Sequence, residues 1–289
     1  MYLQIIYAGL HIKLKEHDVI HSDDTGIQVL NEPGKKPQDN SNMWLYRTSG
    51  DSQTPVAFYE YQPNRNGEHP ENFLKNWEGY CHTDGFAGYH GLDGVTAVGC
   101  WAHVRRKFHD AFKIAKAADS PAGIGLNFCN QLFKLEQVYG EMNLDAQKRN
   151  RYRELLSKPI AEAFFAWSET VNVPPKLATS KAITYLLKQK EWLMNVFLDG
   201  RLELSNNRAE RSIKPFVMGR KNWLFSNSVD GVKASAIVFS IIETAKENGL
   251  KPFEYLKFLL ETLPNATTSQ VESLMPWSDS LPDECRVSK

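Results

Sequence analysis

The stretch His21-Ser-Asp-Asp-Thr-Gly26 places two carboxylates at the polar end of a β-type run, which continues as Ile27-Gln-Val-Leu30. A second acidic motif, Thr83-Asp-Gly-Phe-Ala-Gly-Tyr89, follows another short β-type run. A third, Ser205-Asn-Asn-Arg-Ala-Glu-Arg211, begins a predicted helix. Carboxylates from two strands and one helix can hold a pair of Mg²⁺ ions about 4 Å apart, and such a pair supports phosphodiester chemistry. The three motifs therefore predict a nucleic-acid enzyme.

Taken one at a time, these acidic residues have ordinary structural explanations. Asp23 suits a turn or a helix cap, Asp84 suits an Asp–Gly turn, and Glu210 suits the positive end of a helix. Because successive side chains of a strand point to opposite faces, only one of Asp23 and Asp24 can face a metal site. The strand, strand, helix order makes the three motifs informative together. It predicts a site for two Mg²⁺ or Mn²⁺ ions.

The composition is that of a soluble globular protein. The chain has 289 residues, of which 42% are hydrophobic and 24% charged, and its formal net charge is zero. It has no apolar run of about 18 residues, so no segment of the sequence suits a membrane span. The apolar N-terminal residues lack a basic leader, and four cysteines without a disulfide framework suit a reducing compartment. We therefore expect a cytoplasmic protein with no membrane partner.

Positive charge is concentrated in two segments although the net charge is zero. Local basic patches can bind phosphates while acidic segments elsewhere cancel the total. A solvated helix face is the alternative explanation for such runs, but both segments lie beside acidic motifs. The residues are Arg105, Arg106, Lys107, Lys113 and Lys116 in the first segment, and Arg208, Arg211, Lys214, Arg220 and Lys221 in the second.

The first 110 residues have a mostly β-type pattern, with aromatic and β-branched runs between short turns. A short helix over 68–77, with Pro70 near its start, interrupts this pattern. Three meandering strands, a helix and two further strands fit a mixed sheet of the ribonuclease-H kind better than a pure βαβ series. The predicted strands cover residues 25–30, 43–47, 55–61, 80–84 and 95–101.

Helical periodicity replaces this pattern between about Val104 and Asp199, where apolar stripes mark the core faces of helices. Another amphipathic helix runs through Ile241 and ends at Asn248-Gly249, and Pro252 opens the next. We therefore predict an α/β protein in four parts. These are the first part of a catalytic core (1–110), a large helical insertion (111–200), the rest of the core with C-terminal helices (201–264) and a loosely ordered polar tail (265–289).

Two longer motifs are more specific than the acidic ones: Cys100-Trp-Ala-His-Val-Arg-Arg-Lys-Phe108 and Gly219-Arg-Lys-Asn-Trp-Leu-Phe225. Further distinctive segments are His21-Ser-Asp-Asp-Thr25, Gly67-Glu-His-Pro70, Thr83-Asp-Gly-Phe-Ala-Gly-Tyr89, Asn206-Asn-Arg-Ala-Glu-Arg211, Ile241-Ile-Glu-Thr-Ala-Lys-Glu-Asn-Gly249 and Met275-Pro-Trp277. Together they resemble the DDE transposases of the insertion-sequence-66 family of bacteria. The resemblance extends from about residue 20 to residue 263, and the tail motif adds to it.

This resemblance implies a ribonuclease-H-like core with a mixed five-stranded sheet and a large helical insertion before the catalytic glutamate. By position in the motifs, Asp23, Asp84 and Glu210 correspond to the metal-binding triad. The family usually has Glu and Pro where this chain has Asp24 and Gly26, and the glycine loosens the turn. The implied activity is Mg²⁺- or Mn²⁺-dependent DNA cleavage and strand transfer, with no covalent protein–DNA intermediate.

The segment Cys100-Trp-Ala-His103 resembles a Cys-x-x-His element that follows the second aspartate in several transposases. The resemblance implies that His103 assists catalysis near the metals or the scissile phosphate. A zinc site built from Cys81, His82, Cys100 and His103 is an alternative. Adjacent residues of a strand point to opposite faces, however, and zinc ligands are usually spaced by two to four residues, so we do not favour that site.

The basic motif residues are expected to line the path of the DNA to the metals and to contact its phosphates. Binding should therefore weaken as the salt concentration rises. Trp223 could stack on a base, but a place in the core suits it equally well. The expected phosphate contacts come from Arg105, Arg106, Lys107, Arg211, Arg220 and Lys221.

Family members usually carry an upstream Cys-rich module that recognises DNA ends, whereas Met1 lies only about twenty residues before the first acidic motif. We therefore expect a truncated transposase that binds DNA weakly, on the order of 10⁻⁴ to 10⁻⁶ M, with little preference for particular ends. Its expected partners are the double-stranded DNA of insertion-sequence ends and targets, other copies in a homo-oligomer, and accessory element-encoded proteins. A non-catalytic remnant that binds DNA or dimerises, and a ribonuclease-H-like nuclease or resolvase, remain alternatives.

Overall fold

The computed structural model describes residues 2–287, and its strands form a six-stranded mixed sheet. The predicted α/β class with a mixed sheet is confirmed. Five strands lie at or close to the predicted positions, and a short sixth strand after the third acidic motif was not predicted. The strands are β1 (Val19–Asn31), β2 (Asn40–Thr48), β3 (Ala57–Gln62), β4 (Gly79–His82), β5 (Val95–Val98) and β6 (Ser226–Ser228).

The chain divides into two compact units. The first combines residues 1–79 with 208–289, and the second comprises 80–207, which include the predicted insertion. The second unit is therefore one continuous segment that interrupts the first in sequence. The α-helices are α1 (Leu3–Lys15), α2 (Glu68–Leu74), α3 (Trp101–Ala115), α4 (Pro121–Glu141), α5 (Ala146–Tyr152), α6 (Lys158–Thr170), α7 (Ala178–Lys188), α8 (Lys190–Met194), α9 (Asn207–Trp223), α10 (Val229–Glu247) and α11 (Pro252–Thr262).

In the first unit, β1 and β2 pair antiparallel, as do β2 and β3, and β6 pairs with β1 in parallel. The register places Leu45 opposite Asp23 and Met43 opposite Thr25. Directly opposed residues project from the same face of a sheet. Leu45 and Met43 belong to a core that α9 and α10 complete, so these helices cover the face that carries Asp23. The helical members of this core are Ala209, Ile213, Phe216, Val232 and Ala236.

The opposite face of the same strands is covered by α1 and α2. Tyr46 of β2 stacks on Phe73 of α2, with ring centroids 3.6 Å apart, and Tyr7 of α1 stacks on Phe58 of β3 at 4.3 Å. The sequence analysis assigned no element to the stretch that forms α1. Its buried residues recur every fourth position, as the inner face of a helix requires. They are Ile6, Leu10 and Leu14.

Strand β3 ends the strand order on one side, and its outer backbone groups bond to hydroxyls of α10. The Ser240 hydroxyl accepts a hydrogen bond from the Tyr59 N–H at 2.8 Å. The Thr244 hydroxyl accepts from the Ala57 N–H at 3.0 Å and donates to the Ala57 carbonyl at 3.1 Å. Unpaired strand edges favour aggregation, so the helix hydroxyls protect this edge.

The second unit is mainly helical, and aromatic side chains fill its interior. Phe108 of α3 packs against Phe164 of α6 with ring centroids 5.3 Å apart, and Trp101 packs against Phe165 at 5.9 Å. Gly125 lets α4 approach α3 closely, because a Cβ there would lie 2.2 Å from the Phe108 ring. Most residues of the apolar stripes thus face the core, as predicted, but Tyr152, Leu155 and Leu156 are exposed.

One arginine is fully enclosed in the second unit. Arg153 begins a π-helical turn, Arg153–Ser157, and its side chain is 0% exposed. Its guanidinium binds both carboxylate oxygens of Glu136, at 2.6 and 2.7 Å. It also donates to the carbonyls of Val196 and Asp199, each at 3.3 Å. The pair therefore ties α4 to the segment that follows α8.

The segment predicted as a loosely ordered polar tail forms short 3₁₀ turns and buries several apolar side chains. Tyr255 of α11 donates its hydroxyl hydrogen to the Leu274 carbonyl at 2.7 Å. Met275 contacts α1, where a Cβ at Gly9 would lie 2.6 Å from its terminal carbon. The buried apolar residues of this segment are Leu274, Met275, Leu281 and Cys285. Because these apolar residues are few and widely spaced, the composition of the segment is polar, and the sequence therefore predicted a loosely ordered tail.

Within residues 2–287, no helix combines the length and the apolar character needed to cross a bilayer.

Candidate active site

Asp23 lies on β1, on the face of the sheet that α9 and α10 cover. Its cross-strand partner Leu45 and the Met43 opposite Thr25 both belong to the core on that face. One carboxylate oxygen of Asp23 accepts a hydrogen bond from the Asp24 N–H at 2.8 Å. Asp23 is therefore directed to the side of the sheet where α9, the helix of the third acidic motif, packs.

Asp24 projects to the other face and already has structural partners. Its carboxylate, 8% exposed, forms an ion pair with the Arg65 guanidinium at 2.8 Å. It also accepts a hydrogen bond from the Asn42 side-chain amide at 2.6 Å. The alternation expected from the sequence thus separates the two aspartates, and Asp24 joins β1 to β2 and to the loop that follows β3.

Glu210 lies in the first turn of α9 and is half-buried. The next residues on the inner side of this helix, Ile213 and Phe216, pack into the core beneath the sheet. At the other end of α9, Arg220 donates a hydrogen bond to the Thr25 hydroxyl at 3.2 Å. Thr25 is two residues from Asp23, so the two side chains leave β1 on the same face. The structure thus sets Asp23 and Glu210 on packed elements of the first unit.

A partly buried ion pair lies on the same face of the sheet, next to α9. Arg47 of β2, with 3% of its side chain exposed, binds both carboxylate oxygens of Glu247 at 3.1 and 3.0 Å and also donates to the Ser212 hydroxyl. Burial alone would raise the pKa of Glu247. The hydrogen bonds and charge of Arg47, with the charges of Arg208 and Arg211, outweigh burial and lower that pKa. Glu247 therefore stays ionised beside the third motif.

Asp84 lies in the loop that follows β4 in the second unit. One of its carboxylate oxygens accepts a hydrogen bond from the Phe86 N–H at 3.1 Å, which closes a local turn. Tyr185 of α7 donates its hydroxyl hydrogen to the Asp84 carbonyl at 3.2 Å. Gly85 has a φ of +90°, and a Cβ there would lie 2.8 Å from the side-chain oxygen of Gln189. The loop thus needs glycine at this position, both for its backbone conformation and for space.

Tyr185 and Gln189 are contributions to this loop that sequence reasoning missed. Both lie about a hundred residues after Asp84, Tyr185 in α7 and Gln189 directly after it, in a segment interpreted only as core-forming. No local motif marks them. A tyrosine beside a cluster of small residues becomes informative only when the fold brings the two together.

Cys100 and His103 bracket the start of α3. The Cys100 sulfur and a ring nitrogen of His103 lie within 4.8 Å of each other, and the sulfur accepts a hydrogen bond from the Asn206 N–H at 3.2 Å. Cys81 is fully buried, which raises the pKa of its thiol. A ring nitrogen of His82 accepts from the Glu203 N–H at 3.2 Å. Within residues 2–287, neither Cys81 nor His82 joins Cys100 and His103 in a group of possible metal ligands.

The predicted DNA-contact residues occupy varied surroundings. The Arg105 Nε donates to the Asn130 side chain at 2.8 Å, and the Lys107 ammonium lies 4.6 Å from the centre of the Tyr185 ring. Trp223 is half-buried and meets Phe216 edge-on at 5.3 Å, so it contributes to the core of the first unit. The exposed side chains of this set are Arg105, Arg106, Lys107, Arg211 and Lys221. Their contact with DNA stays a prediction.

The fold and these residues define a mixed α/β protein with acidic motifs at a strand, after a strand and on a helix. The sequence pattern described as "Transposase IS66 family" matches residues 1–234, and "IS66 C-terminal element" matches residues 240–277. The chain belongs to the IS66 transposase family. The match includes all three acidic motifs and the whole second unit.

Three relatives from Sinorhizobium fredii (strain NBRC 101917 / NGR234) are similar over most of this chain. The uncharacterized protein y4qI is 29% identical over 96% of this chain and 53% of its own length. The uncharacterized protein y4hP is 28% identical over 89% of this chain and 50% of its own length, and y4jD is 28% identical over 96% and 57%. The chain thus spans about half the length of these relatives. No solved structure matches it.

Proposed function

We propose that the chain is the catalytic part of a DDE transposase, in which Asp23, Asp84 and Glu210 bind two divalent metal ions. Family membership carries this proposal, since the matched region contains all three acidic residues. The orientation of Asp23 toward the side of the sheet covered by α9 supports it. Three carboxylates offer only oxygen ligands, which suit Mg²⁺ or Mn²⁺.

The proposed reaction is cleavage of DNA strands at insertion-sequence ends followed by transfer of the 3′ ends to a target. When bound, the two ions activate water or a DNA 3′-hydroxyl and stabilise the leaving 3′-oxygen. Asp23, Asp84 and Glu210 hold the ions and do not themselves transfer protons. His103 assists near the scissile phosphate. The protein acts in the cytoplasm on double-stranded DNA, as a homo-oligomer and with accessory element-encoded proteins.

Each part of the surrounding structure has a task in this proposal. Arg65 holds Asp24 on the far face, which leaves Asp23 as the aspartate directed to the metals. Tyr185 fixes the backbone of Asp84 and so restricts where its carboxylate points. Arg211 and Arg220 supply positive charge on α9, where a phosphate backbone would be attracted.

The test is cleavage of supercoiled plasmid by the purified chain with Mn²⁺ or Mg²⁺, compared with EDTA. A second arm measures the joining of an oligonucleotide 3′-hydroxyl to the plasmid. Asp84→Asn should abolish both activities and leave folding intact, because it removes a metal ligand from a surface loop. The matched control is Asp93→Asn, an exposed aspartate of the same unit, which should retain both.

The alternatives give different results in this experiment. Cleavage without joining would indicate a nuclease or resolvase on the same fold, and DNA binding without cleavage would indicate a non-catalytic remnant. Full activity of Asp84→Asn would remove Asp84 from the proposed triad.

A further inference from the structure

A concave pocket of about 580 Å³ lies between α3 and α4 in the second unit. Three cationic side chains line it: Arg105 and Arg106 from α3, and Lys134 from α4. Aspartate and glutamate are absent from the lining in the part of the chain that the structure describes. Cationic side chains around a pocket without carboxylates favour an anionic ligand.

The contacts of the pocket strengthen this charge argument. Asn130 of α4 accepts the Arg105 Nε–H at 2.8 Å and so fixes one edge of the guanidinium. Glu141, one turn beyond the pocket, accepts a hydrogen bond from the Gln137 amide at 2.7 Å. Asp110 is held in an ion pair with Lys113 at 3.2 Å. The charge of Asp110 is thus offset by Lys113, whereas Glu141 is bonded to Gln137, which itself lines the pocket.

The aromatic and amide side chains of the lining indicate which class of anion the pocket binds. Phe133 of α4 is half-buried in the pocket wall, beside the amide side chains of Asn130 and Gln137. Neither a phosphate ion nor a carboxylate side chain has an aromatic ring that would stack on Phe133. Cationic side chains combined with an aromatic one are typical of proteins that bind single-stranded nucleic acid, where an unpaired base stacks on the ring. A duplex keeps the faces of its bases stacked inside, so it offers phosphates, sugars and base edges but no base face to an aromatic ring.

We infer that the α3–α4 pocket binds an unpaired nucleotide of single-stranded DNA. The phosphate lies between Arg105, Arg106 and Lys134, and the base stacks on Phe133. This inference rests on the proposed function, since it takes DNA as the ligand. It adds to the cations of α3 a binding surface on α4, a helix to which sequence analysis attached no chemistry.

The test measures DNA binding by fluorescence anisotropy, with the full chain in EDTA so that no strand is cut. The probes are a single strand of about 12 nucleotides and a duplex of the same sequence. Phe133→Leu keeps the site apolar and should weaken single-strand binding at least about 5-fold while leaving duplex binding unchanged. Lys134→Ala should reduce the slope of log affinity against log salt by about 0.7. The control Lys181→Ala, an exposed lysine of α7, should change neither.

Other outcomes overturn the inference. Equal weakening of duplex and single-strand binding by Phe133→Leu would mean loss of structure rather than of stacking, and thermal unfolding of the variant checks this. Displacement of the single strand by polyglutamate or inorganic phosphate as readily as by unlabelled strand would show a general anion site. Unchanged single-strand binding by Phe133→Leu and Lys134→Ala also overturns it, whether or not the chain cleaves DNA. Absence of metal-dependent cleavage counts only against the proposed function, because this assay contains no metal.

Discussion

Each of the two units contains a bidentate arginine–glutamate pair, and these two pairs differ in how deeply they are buried. Arg153 is 0% exposed in the second unit and its partner Glu136 is 17% exposed. Arg47 is 3% exposed in the first unit, but its partner Glu247 is 37% exposed. When the arginine is lost, water can solvate a carboxylate that is exposed. A carboxylate that is largely enclosed stays unpaired in the poorly polarisable interior, which costs more free energy. Loss of the arginine–glutamate pair should therefore lower the free energy of unfolding more in the second unit than in the first.

The largest effect is expected for the enclosed pair. Arg153→Ala leaves Glu136 without its cationic partner and takes a donor from the Val196 and Asp199 carbonyls, so the free energy of unfolding should fall by about 3–5 kcal/mol. The Asp199 carbonyl keeps the Leu202 N–H at 3.2 Å. Arg151→Ala, an exposed arginine two residues earlier, is the matched control and should change it by less than about 0.5 kcal/mol. Urea unfolding of both variants makes the measurement. A loss below about 1 kcal/mol for Arg153→Ala would remove the distinction between the two pairs.

A smaller effect, dependent on pH, is expected for the pair of the first unit. Glu247→Gln should lower the free energy of unfolding by about 1–3 kcal/mol at pH 7, because Arg47 loses a charged acceptor. The pKa of Glu247 is lowered in the folded state. Its contribution is therefore complete above the ordinary carboxyl pKa of about 4.3 and is lost as the pH falls through the lower folded value.

Unfolding curves across the acid range measure this dependence. The difference between the unmodified chain and Glu247→Gln should shrink as the pH falls, and Glu261→Gln, an exposed carboxylate on α11, should show no such dependence. A difference that grows toward acid pH would contradict a lowered pKa for Glu247.

The smallest effect on stability separates the two adjacent aspartates of β1. Asp24→Asn weakens an ion pair whose Arg65 partner is 45% exposed, so it should cost about 1 kcal/mol of unfolding free energy. Asp23→Asn should leave stability nearly unchanged and abolish metal-dependent cleavage. Thermal unfolding and plasmid cleavage on both variants give the comparison. Loss of cleavage only in Asp24→Asn would reverse the proposed assignment of the two aspartates.

These residues also show which features a sequence can predict. Period-2 alternation assigns Asp23 and Asp24 to opposite faces of β1, and the structure has them so, but alternation alone does not say which face α9 covers. The buried Arg153 and the pocket-lining Lys134 had no sequence signal, since each lies in a helix interpreted only as core-forming. Helix α1 was not predicted because its apolar stretch lies outside every motif and was interpreted only with respect to a secretory leader.

The sequence by itself determined the mixed α/β class, the positions of five strands and the family of the protein. Each of these depends on local spacing: strand alternation, helical periodicity and motifs of contiguous residues. Only the tertiary structure decided that Arg65 forms an ion pair with Asp24 and that Tyr185 binds the Asp84 loop. It also decided that Arg105 and Lys134 line one pocket. Those arrangements join residues 29 to 101 positions apart. At such separations the packing of whole elements, rather than the pattern within any one of them, fixes which side chains meet.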